Sequence, residues 1–165
     1  MTPPMKRLTD IDWSTWQAKD PATLVFVVKE AQVLLIRKKR GLGAGKINAP
    51  GGRLEPGETP LEAAVREAQE ELRITPRELT FCGENLFQFV DGYSIHVHVF
   101  KARDFEGEPT ETDEASPIWS PIDAIPYQEM WEDDKLWVPH VLEGTRFFGR
   151  YLFDDDIMLD YELEL

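Results

Sequence analysis

Residues 52–74 constrain this chain more than any other segment, because they predict a helix with one face for packing and another for chemistry. The segment reads GRLEPGETPLEAAVREAQEELRI. At about 100° per residue, its apolar side chains fall on one arc and three of its glutamates fall on another. The apolar positions are Leu61, Ala64, Val65, Ala68 and Leu72, and the acidic ones are Glu67, Glu70 and Glu71. The sequence therefore predicts a buried stripe beside an acidic stripe.

The start of this helix is marked by a capping box. Thr59 is a favourable N-cap residue, Pro60 suits the first helical position, and Glu62 follows the threonine by three residues. We expect the helix to run from about Pro60 to Leu72.

The acidic stripe predicts a divalent-metal site. Glu67, Glu70 and Glu71 repel one another and would weaken an isolated helix, whereas a hard cation such as Mg²⁺ takes oxygen ligands and bridges carboxylates to phosphates. A solvated acidic face is the alternative interpretation. The metal site is favoured by the adjacent Gly51-Gly52, because backbone amides in such a turn can face an anion.

The same segment resembles the Nudix family of hydrolases, whose box reads G-x5-E-x7-R-E-U-x-E-E-x-G-U, with U aliphatic. The matching residues are Gly52, Glu58, Arg66, Glu67, Ala68, Glu70, Glu71 and Ile74. Arg73 departs from the pattern, because it stands where the box has a glycine that ends the helix. A left-handed conformation there costs a non-glycine residue about 1 kcal/mol or more. Either the turn is built differently or this strain is tolerated, and neither outcome removes a ligand.

Composition limits the fold and the partners. A chain of 165 residues with 42% hydrophobic content supports one domain, which we place at residues 22–165 after an N-terminal extension at 1–21. The net charge of −13 argues against a nucleic-acid polymer as partner, but it is compatible with a small Mg²⁺-complexed anion. With one cysteine, no signal-like run and no long apolar span, we expect a soluble cytoplasmic monomer that has no membrane contact.

The rest of the chain predicts an α+β fold. A helix is predicted at Lys135 to Glu143, with Pro139 either kinking it or marking its first turn, and Pro121 to Pro126 suggests a brief helical turn. Predicted strands cover residues 22–29, 32–37, 79–90, 93–103, 118–120, 146–153 and 157–163. This order suits an α/β/α sandwich with a mixed sheet, and the resemblance implies the Nudix fold with its loop-helix-loop. In the extension, Thr9 and Asp12 predict a short helix that places Trp13 and Trp16 on one side.

The resemblance extends from Thr23 to the C-terminus and is to the MutT-homologue branch, which hydrolyses oxidised purine nucleoside triphosphates. It rests on VLLIRKKRGLGAGKINAPGG, HVHVFKARDFEGEPTETDE, MWEDDKLWVP and IMLDYELEL. It implies the conversion of 8-oxo-dGTP, and by extension 2-oxo-dATP, to monophosphate and pyrophosphate. Divergence at Leu42, Ile47, Ala49 and Pro50 should alter base preference more than catalysis.

In that branch the purine is bound by positions that match Asn48, Trp131, Asp133 and Asp134. The chemistry is sensible, because tryptophan offers a stacking surface, an amide both donates and accepts, and adjacent enclosed carboxylates can share a proton. The alternative is a solvated aspartate pair beside a structural tryptophan.

The remaining site positions also follow from the resemblance. Lys38, Phe87 and Trp137 align with pocket-lining positions, although Phe87 in an apolar strand and Trp137 on a helix are by themselves more typical of core residues. Gly51 and Gly52 complete the predicted substrate site. The predicted ligands for Mg²⁺, with Mn²⁺ as a substitute, are Glu67, Glu70, Glu71, the Gly51 carbonyl and Glu114.

Glu114 is a further metal or base candidate, with a solvated loop acid as the alternative interpretation. Arg66 is expected to orient the acidic cluster through Glu58. Two other functions remain open: hydrolysis of another nucleoside diphosphate derivative, such as a dinucleoside polyphosphate or nucleotide sugar, and a non-catalytic nucleotide-binding module. Arg73 is the only hint of the latter.

Overall fold

The computed structural model describes residues 4–165, and in this range the chain forms nine strands and two α-helices. The first three residues of the predicted N-terminal extension lie outside the described residues. The elements are β1 (Asp20–Lys29), β2 (Gln32–Lys38), β3 (Ile47–Asn48), β4 (Gly51–Arg53), α1 (Pro60–Leu72), β5 (Thr75–Phe89), β6 (Ser94–Glu106), β7 (Ala115–Pro121), α2 (Asp134–Glu143), β8 (Phe147–Asp154) and β9 (Ile157–Glu164).

All nine of these strands belong to one sheet, and the sheet is mixed, as predicted. Its order is β3-β2-β1-β6-β5-β8-β9, while β4 pairs with β1 and β7 pairs with β2. The β1–β6 and β5–β8 pairs are parallel, and the other pairs are antiparallel. The parallel pair β1–β6 lies inside the sheet; the short strand β4, which carries Gly51, pairs with β1, and the short strand β3, which carries Asn48, pairs with β2.

The two helices cover opposite faces of this sheet. Along β1, Val25 and Val27 pack in the cluster that contains α1, whereas Phe26 packs in the cluster that contains α2. Helix α1 contributes Ala64, Ala68 and Leu72 to its cluster, and α2 contributes Trp137, Val138 and Val141 to the other. Burial on both faces explains why β1 and β2 read as continuous apolar runs, and it confirms the predicted α/β/α sandwich.

Several strand boundaries differ from the prediction. Strand β5 begins at Thr75 and β6 ends at Glu106, because these polar ends pair with each other beyond the apolar core. Strand β7 begins at Ala115 rather than Ile118. Strands β3 and β4 were not predicted, since two or three residues are too few to show a periodicity.

Helix α2 runs through Pro139, which is its sixth residue and therefore does not mark the first turn. A 3-10 turn at Tyr127–Glu129 lies just beyond the helical turn predicted at 121–126. None of the helices in residues 4–165 combines the length and apolar character that a membrane-spanning helix needs.

The short helix predicted from Thr9 and Asp12 is wrong, although Trp13 and Trp16 do lie together. The carboxylate of Asp12 accepts hydrogen bonds from the backbone and hydroxyl of Ser14, and such local bonds compete with a helix. The helical structure in residues 4–19 is limited to a 3-10 turn at Leu8–Asp10, which precedes Asp12. The rings of Trp13 and Trp16 are 5.2 Å apart, and Trp16 Nε1 donates to Gln88 Oε1 of β5 at 2.8 Å.

Candidate active site

Helix α1 has the predicted bounds and the predicted capping box. Thr59 Oγ1 accepts from the backbone N–H of Glu62 at 3.2 Å, and the Glu62 carboxylate accepts from the backbone N–H of Thr59 at 3.0 Å. The first turn is therefore fixed by two reciprocal hydrogen bonds. This start sets the rotation of the helix, and hence the direction in which its acidic stripe points.

The end of α1 keeps the geometry of a glycine turn without the glycine. Arg73 is left-handed, with φ 60° and ψ 34°, and its N–H donates to Gln69 O at 2.9 Å. Of the two possibilities left open by the sequence, the strained turn is the one that occurs. It costs about 1 kcal/mol and leaves the acidic stripe unchanged.

Arg66 is the centre of a network of ion pairs beside the acidic stripe. Its guanidinium donates to both oxygens of Glu58, at 2.7 and 2.9 Å, and to Glu67 at 2.9 Å. Weaker contacts reach Glu70 at 3.2 Å and the Arg53 carbonyl at 3.0 Å. These carboxylates raise the pKa of Arg66 further above its ordinary value, with Glu58 making the largest contribution.

Two glutamates of the stripe are held against the Gly51-Gly52 strand. Glu71 is 3% exposed and accepts from the backbone N–H of Gly51 at 2.8 Å. A Cβ on Gly52 would lie 2.6 Å from the carboxyl carbon of Glu67, so a larger residue at position 52 would displace this ligand candidate. Burial raises the pKa of Glu67 and raises the pKa of Glu71 to about 8.

The acidic cluster also includes Glu114, from the loop before β7. Carboxylate oxygens of Glu67, Glu70 and Glu114 lie within 4.8 Å of one another. Glu71 lies outside that set, but the charges of Glu67 and Glu114 add to the burial that raises its pKa. Buried carboxylates without a matching cation are costly, and an all-oxygen donor set suits a hard divalent ion. The residues present therefore fit Mg²⁺ or Mn²⁺.

Asp133 and Asp134 form a buried pair at the N-terminal end of α2. They are 2% and 3% exposed, which excludes the alternative of a solvated loop pair. Trp137 Nε1 donates to Asp133 Oδ2 at 2.7 Å, while Asp134 Oδ2 is buried and has no hydrogen-bond partner among residues 4–165. Burial raises the pKa of Asp133 to about 6, and burial together with the Asp133 charge raises the pKa of Asp134 well above its ordinary value.

Aromatic rings form the wall next to this pair. Trp131 packs edge-on against Phe153, with ring centroids 5.5 Å apart. Lys46 Nζ lies 5.3 Å from the ring centroid of Trp131. Phe87 stacks on Tyr151 with centroids 4.9 Å apart. Trp131 is only partly buried, so part of its ring can contact a ligand.

Asn48 and Lys38 line the same cleft as Phe87 and Trp131. Asn48 stands in β3 and accepts from the Ala49 N–H through Oδ1 at 2.8 Å, which orients its amide. Lys38 Nζ donates to the Leu42 carbonyl at 2.8 Å, and burial lowers its pKa.

One open cleft of about 750 Å³ joins the acidic stripe to the aspartate pair. Its lining includes the predicted residues Lys38, Asn48, Gly51, Gly52, Glu71, Phe87, Trp131, Asp133, Asp134 and Trp137. An adjoining groove is lined by Glu67, Glu71 and Glu114 together with three basic side chains, Lys38, Arg40 and Arg53. Arg66 and Glu70 line neither cavity.

Sequence reasoning missed two of these basic residues. Arg40 and Arg53 were not among the predicted site residues, although Arg40 lies in the basic, glycine-rich loop at 38–46 and that composition was a usable signal. Arg40 donates to Glu114 at 3.0 Å. The groove therefore pairs acidic and basic side chains, as expected for a site that binds a cation and phosphates together.

Comparisons with known proteins identify the family of this chain. Residues 18–141 match the family model described as NUDIX domain. The chain is 44% identical over 144 residues to a Danio rerio protein named oxidized purine nucleoside triphosphate hydrolase, covering 86% of this chain and 92% of the relative. It is 41% identical over 66 residues to the 8-oxo-dGTP diphosphatase of Escherichia coli, covering 40% of this chain and 50% of the relative.

A solved structure of a MutT protein from Bacillus halodurans has the same fold. It superposes with a TM-score of 0.79 at 32% identity, covering 88% of this chain and 97% of that chain. The predicted fold is thereby confirmed.

Proposed function

This chain belongs to the Nudix family of hydrolases, and we propose that it hydrolyses oxidised purine nucleoside triphosphates, such as 8-oxo-dGTP, to the monophosphate and pyrophosphate with Mg²⁺. The proposal rests on one observation above all. A single cleft runs from the metal-binding end at Glu71 to the buried pair Asp133 and Asp134. A nucleotide lying in it would place its phosphates at the first end and its base at the second.

The aspartate pair is suited to an oxidised purine because it offers a donor and acceptors together. With the pKa of both carboxyls raised by burial, the pair retains a proton near neutral pH. Oxidation of a purine introduces a lactam, which changes the hydrogen-bonding pattern of the base. Movement of the shared proton between Asp133 and Asp134 would allow one site to accept more than one oxidised purine, while Asn48 and Trp131 supply an amide and a stacking surface.

The phosphate end is suited to a metal-complexed anion. Glu67, Glu70, Glu71, Glu114 and the Gly51 carbonyl would hold Mg²⁺, or Mn²⁺ in its place. When bound, the ion neutralises phosphate charge and polarises the attacked phosphorus.

In this proposal the basic side chains bind the phosphates and an acidic side chain activates the attacking water. Lys38, Arg40 and Arg53 would bind phosphate oxygens in the adjoining groove. Water attacks the α- or the β-phosphorus, the anhydride bond between these two phosphates breaks, and the monophosphate and pyrophosphate are the products. One of two glutamates, the buried Glu71 or the half-buried Glu67, accepts the proton of the attacking water. Arg66 acts at a distance by orienting Glu67.

The test is Mg²⁺-dependent release of pyrophosphate over a panel of substrates. The panel contains 8-oxo-dGTP, 2-oxo-dATP, dGTP, dinucleoside polyphosphates and nucleotide sugars. We expect an oxidised purine triphosphate to have the highest kcat/KM. If none exceeds dGTP, the proposed specificity is wrong; preference for a dinucleoside polyphosphate or nucleotide sugar would assign the other hydrolase function, and binding without cleavage would indicate a nucleotide-binding module.

A matched pair of variants locates the specificity. Asp133→Asn changes the buried pair, whereas Asp123→Asn changes an exposed carboxylate on the turn after β7. We expect the first to reorder the panel and the second to leave its order unchanged. If Asp133→Asn leaves the order of substrate preference unchanged, the aspartate pair does not recognise the base.

A further inference from the structure

Two histidines and a glutamate come together on the sheet face opposite the cleft. Along β6, Ile95 and Val97 line the cleft, so His96 and His98 point to the other face, because alternate side chains on a strand face opposite ways. Glu84 on β5 pairs in register with His98. The backbone therefore directs these three side chains to one side of two central strands.

The distances within this group match a metal-binding cluster. One ligand atom from each of Glu84, His96 and His98 lies within 4.8 Å of the others, and Glu84 Oε1 is 3.3 Å from His96 Nε2. Ligands about 2.0–2.2 Å from a tetrahedral ion are separated by roughly 3.4 Å. The Glu84–His96 pair already has that separation, and a ligand atom of His98 lies within 4.8 Å of both partners.

The arrangement and the surroundings of the two imidazoles favour metal coordination. The rings of His96 and His98 stack with centroids 4.4 Å apart, and two protonated rings at this distance would repel. Burial and the neighbouring His96 lower the pKa of His98. Its Nδ1 is buried without a hydrogen-bond partner within the described part of the chain. An imidazole nitrogen that has no hydrogen-bond partner within the chain and faces a second imidazole and a carboxylate is placed to coordinate a metal ion.

We propose that Glu84, His96 and His98 form a binding site for a divalent transition-metal ion, represented by Zn²⁺. Two imidazoles and one carboxylate are a donor set suited to Zn²⁺ and its neighbours, whereas Mg²⁺ prefers an all-oxygen set. Three protein ligands leave at least one position for water. The group lines none of the described cavities around the cleft and groove, so this site is separate from the proposed catalytic ion and does not depend on the proposed function.

The site's place in the fold indicates what a bound ion would do. Strand β6 lies between β1 and β5, and the ion would cross-link β5 to β6 through side chains. An ion that binds the folded chain more tightly than the unfolded chain raises the stability of the folded state in proportion to its occupancy. Zn²⁺ should therefore raise the melting temperature.

The test is calorimetric titration of the full chain with Zn²⁺ in millimolar Mg²⁺, which occupies the all-oxygen site. We expect one equivalent of Zn²⁺ to bind at micromolar concentration. His96→Gln and His98→Gln should each weaken binding at least about 10-fold, and Glu84→Gln should also weaken it. The matched control is His140→Gln, since His140 lies on α2 beside Glu143 and should leave binding unchanged.

Two readouts keep the test decisive. The Zn²⁺-dependent rise in melting temperature should vanish in His96→Gln, whose partly exposed side chain can be replaced without disturbing the core, and Co²⁺ should give visible absorption bands in the wild type that this variant lacks. Equal Zn²⁺ affinity in the wild type and His96→Gln, or no binding at micromolar Zn²⁺, would overturn the proposal. The cluster would then be a Glu84–His96 hydrogen bond beside a stacked imidazole.

Discussion

Replacing Arg66 by alanine should destabilise the protein by about 3 kcal/mol and impair turnover. The guanidinium makes five hydrogen bonds, three of them to Glu58 and Glu67 at 2.7–2.9 Å. Its side chain is 20% exposed, and those of Glu58 and Glu67 are 13% exposed. Removing one partner of a mostly buried ion pair costs about 3–5 kcal/mol. Arg66 keeps some contact with solvent, and hydrogen bonds that share one guanidinium are not additive. We therefore expect a cost at the lower end of the range of about 3–5 kcal/mol.

The assay is urea unfolding in EDTA, so that no divalent ion compensates for the lost arginine. For a chain of this size, 3 kcal/mol corresponds to a fall in melting temperature of about 6–12 °C. Arg66→Lys should fall between the wild type and the alanine variant, because it keeps the charge and loses the planar fork. With Mg²⁺ present, Arg66→Ala should also lower kcat/KM by about 10–100-fold, since Glu67 is no longer held in place.

Arg77→Ala is the matched control. Arg77 pairs with Glu106 at 2.6 Å, a distance as short as any made by Arg66, but the two side chains are 51% and 67% exposed. Exposed pairs contribute about 0–1 kcal/mol. If Arg66→Ala is no more destabilising than Arg77→Ala, burial does not determine the strength of this network and the reasoning is refuted.

Three further predictions concern the ends of the cleft and the end of α1. Glu71→Gln should lower turnover at least about 100-fold while leaving the metal-free chain equally or more stable, because the amide keeps the Gly51 contact and removes the cost of ionising a buried carboxyl; unchanged pyrophosphate release would contradict the proposed role of the acidic stripe. Asp133 has a pKa of about 6 in the folded state, above its unfolded value of about 4, so its stabilising contribution is complete below about pH 4 and is lost as the pH rises through 6. The free energy of unfolding, measured with urea, should therefore fall less between pH 5 and 7.5 in Asp133→Asn than in the wild type. Equal falls in the two proteins would refute this. Arg73→Gly should raise the free energy of unfolding by about 1 kcal/mol with turnover unchanged, because glycine adopts the observed left-handed conformation without strain; a loss of stability would show that the arginine side chain makes a compensating contact.

The parts of the fold that were predictable are those specified by short-range patterns. The capping box at Thr59 and the apolar arc of α1 predicted both ends of that helix. The strands predicted at 22–29 and 32–37 correspond to β1 and β2, although the residues between them, Glu30 and Ala31, have positive φ values, 54° and 59°, that usually favour glycine or asparagine. The flanking apolar runs supplied enough signal to identify both strands.

The parts that were not predictable depend on pairing between distant segments. The two-residue strand β3, which carries Asn48, exists because Ile36 pairs with Asn48 across a loop. The ends of β5 and β6 extend past the apolar core because they pair with each other. The His96–His98 cluster was missed even though its i, i+2 spacing on a strand was visible, because its third member, Glu84, lies on a neighbouring strand.

The sequence alone determined the capped acidic helix, the family, and the residue types needed for a metal and a nucleotide. Those features depend on short segments or on sequence similarity, so they can be recognised without knowing the tertiary contacts. Only the tertiary structure decided that Asp133 and Asp134 are buried, that one cleft connects them to Glu71, and that Arg73 adopts the strained turn. Burial changes the solvation of a carboxyl group and with it the pKa, and burial is a property of the packed chain rather than of any one segment.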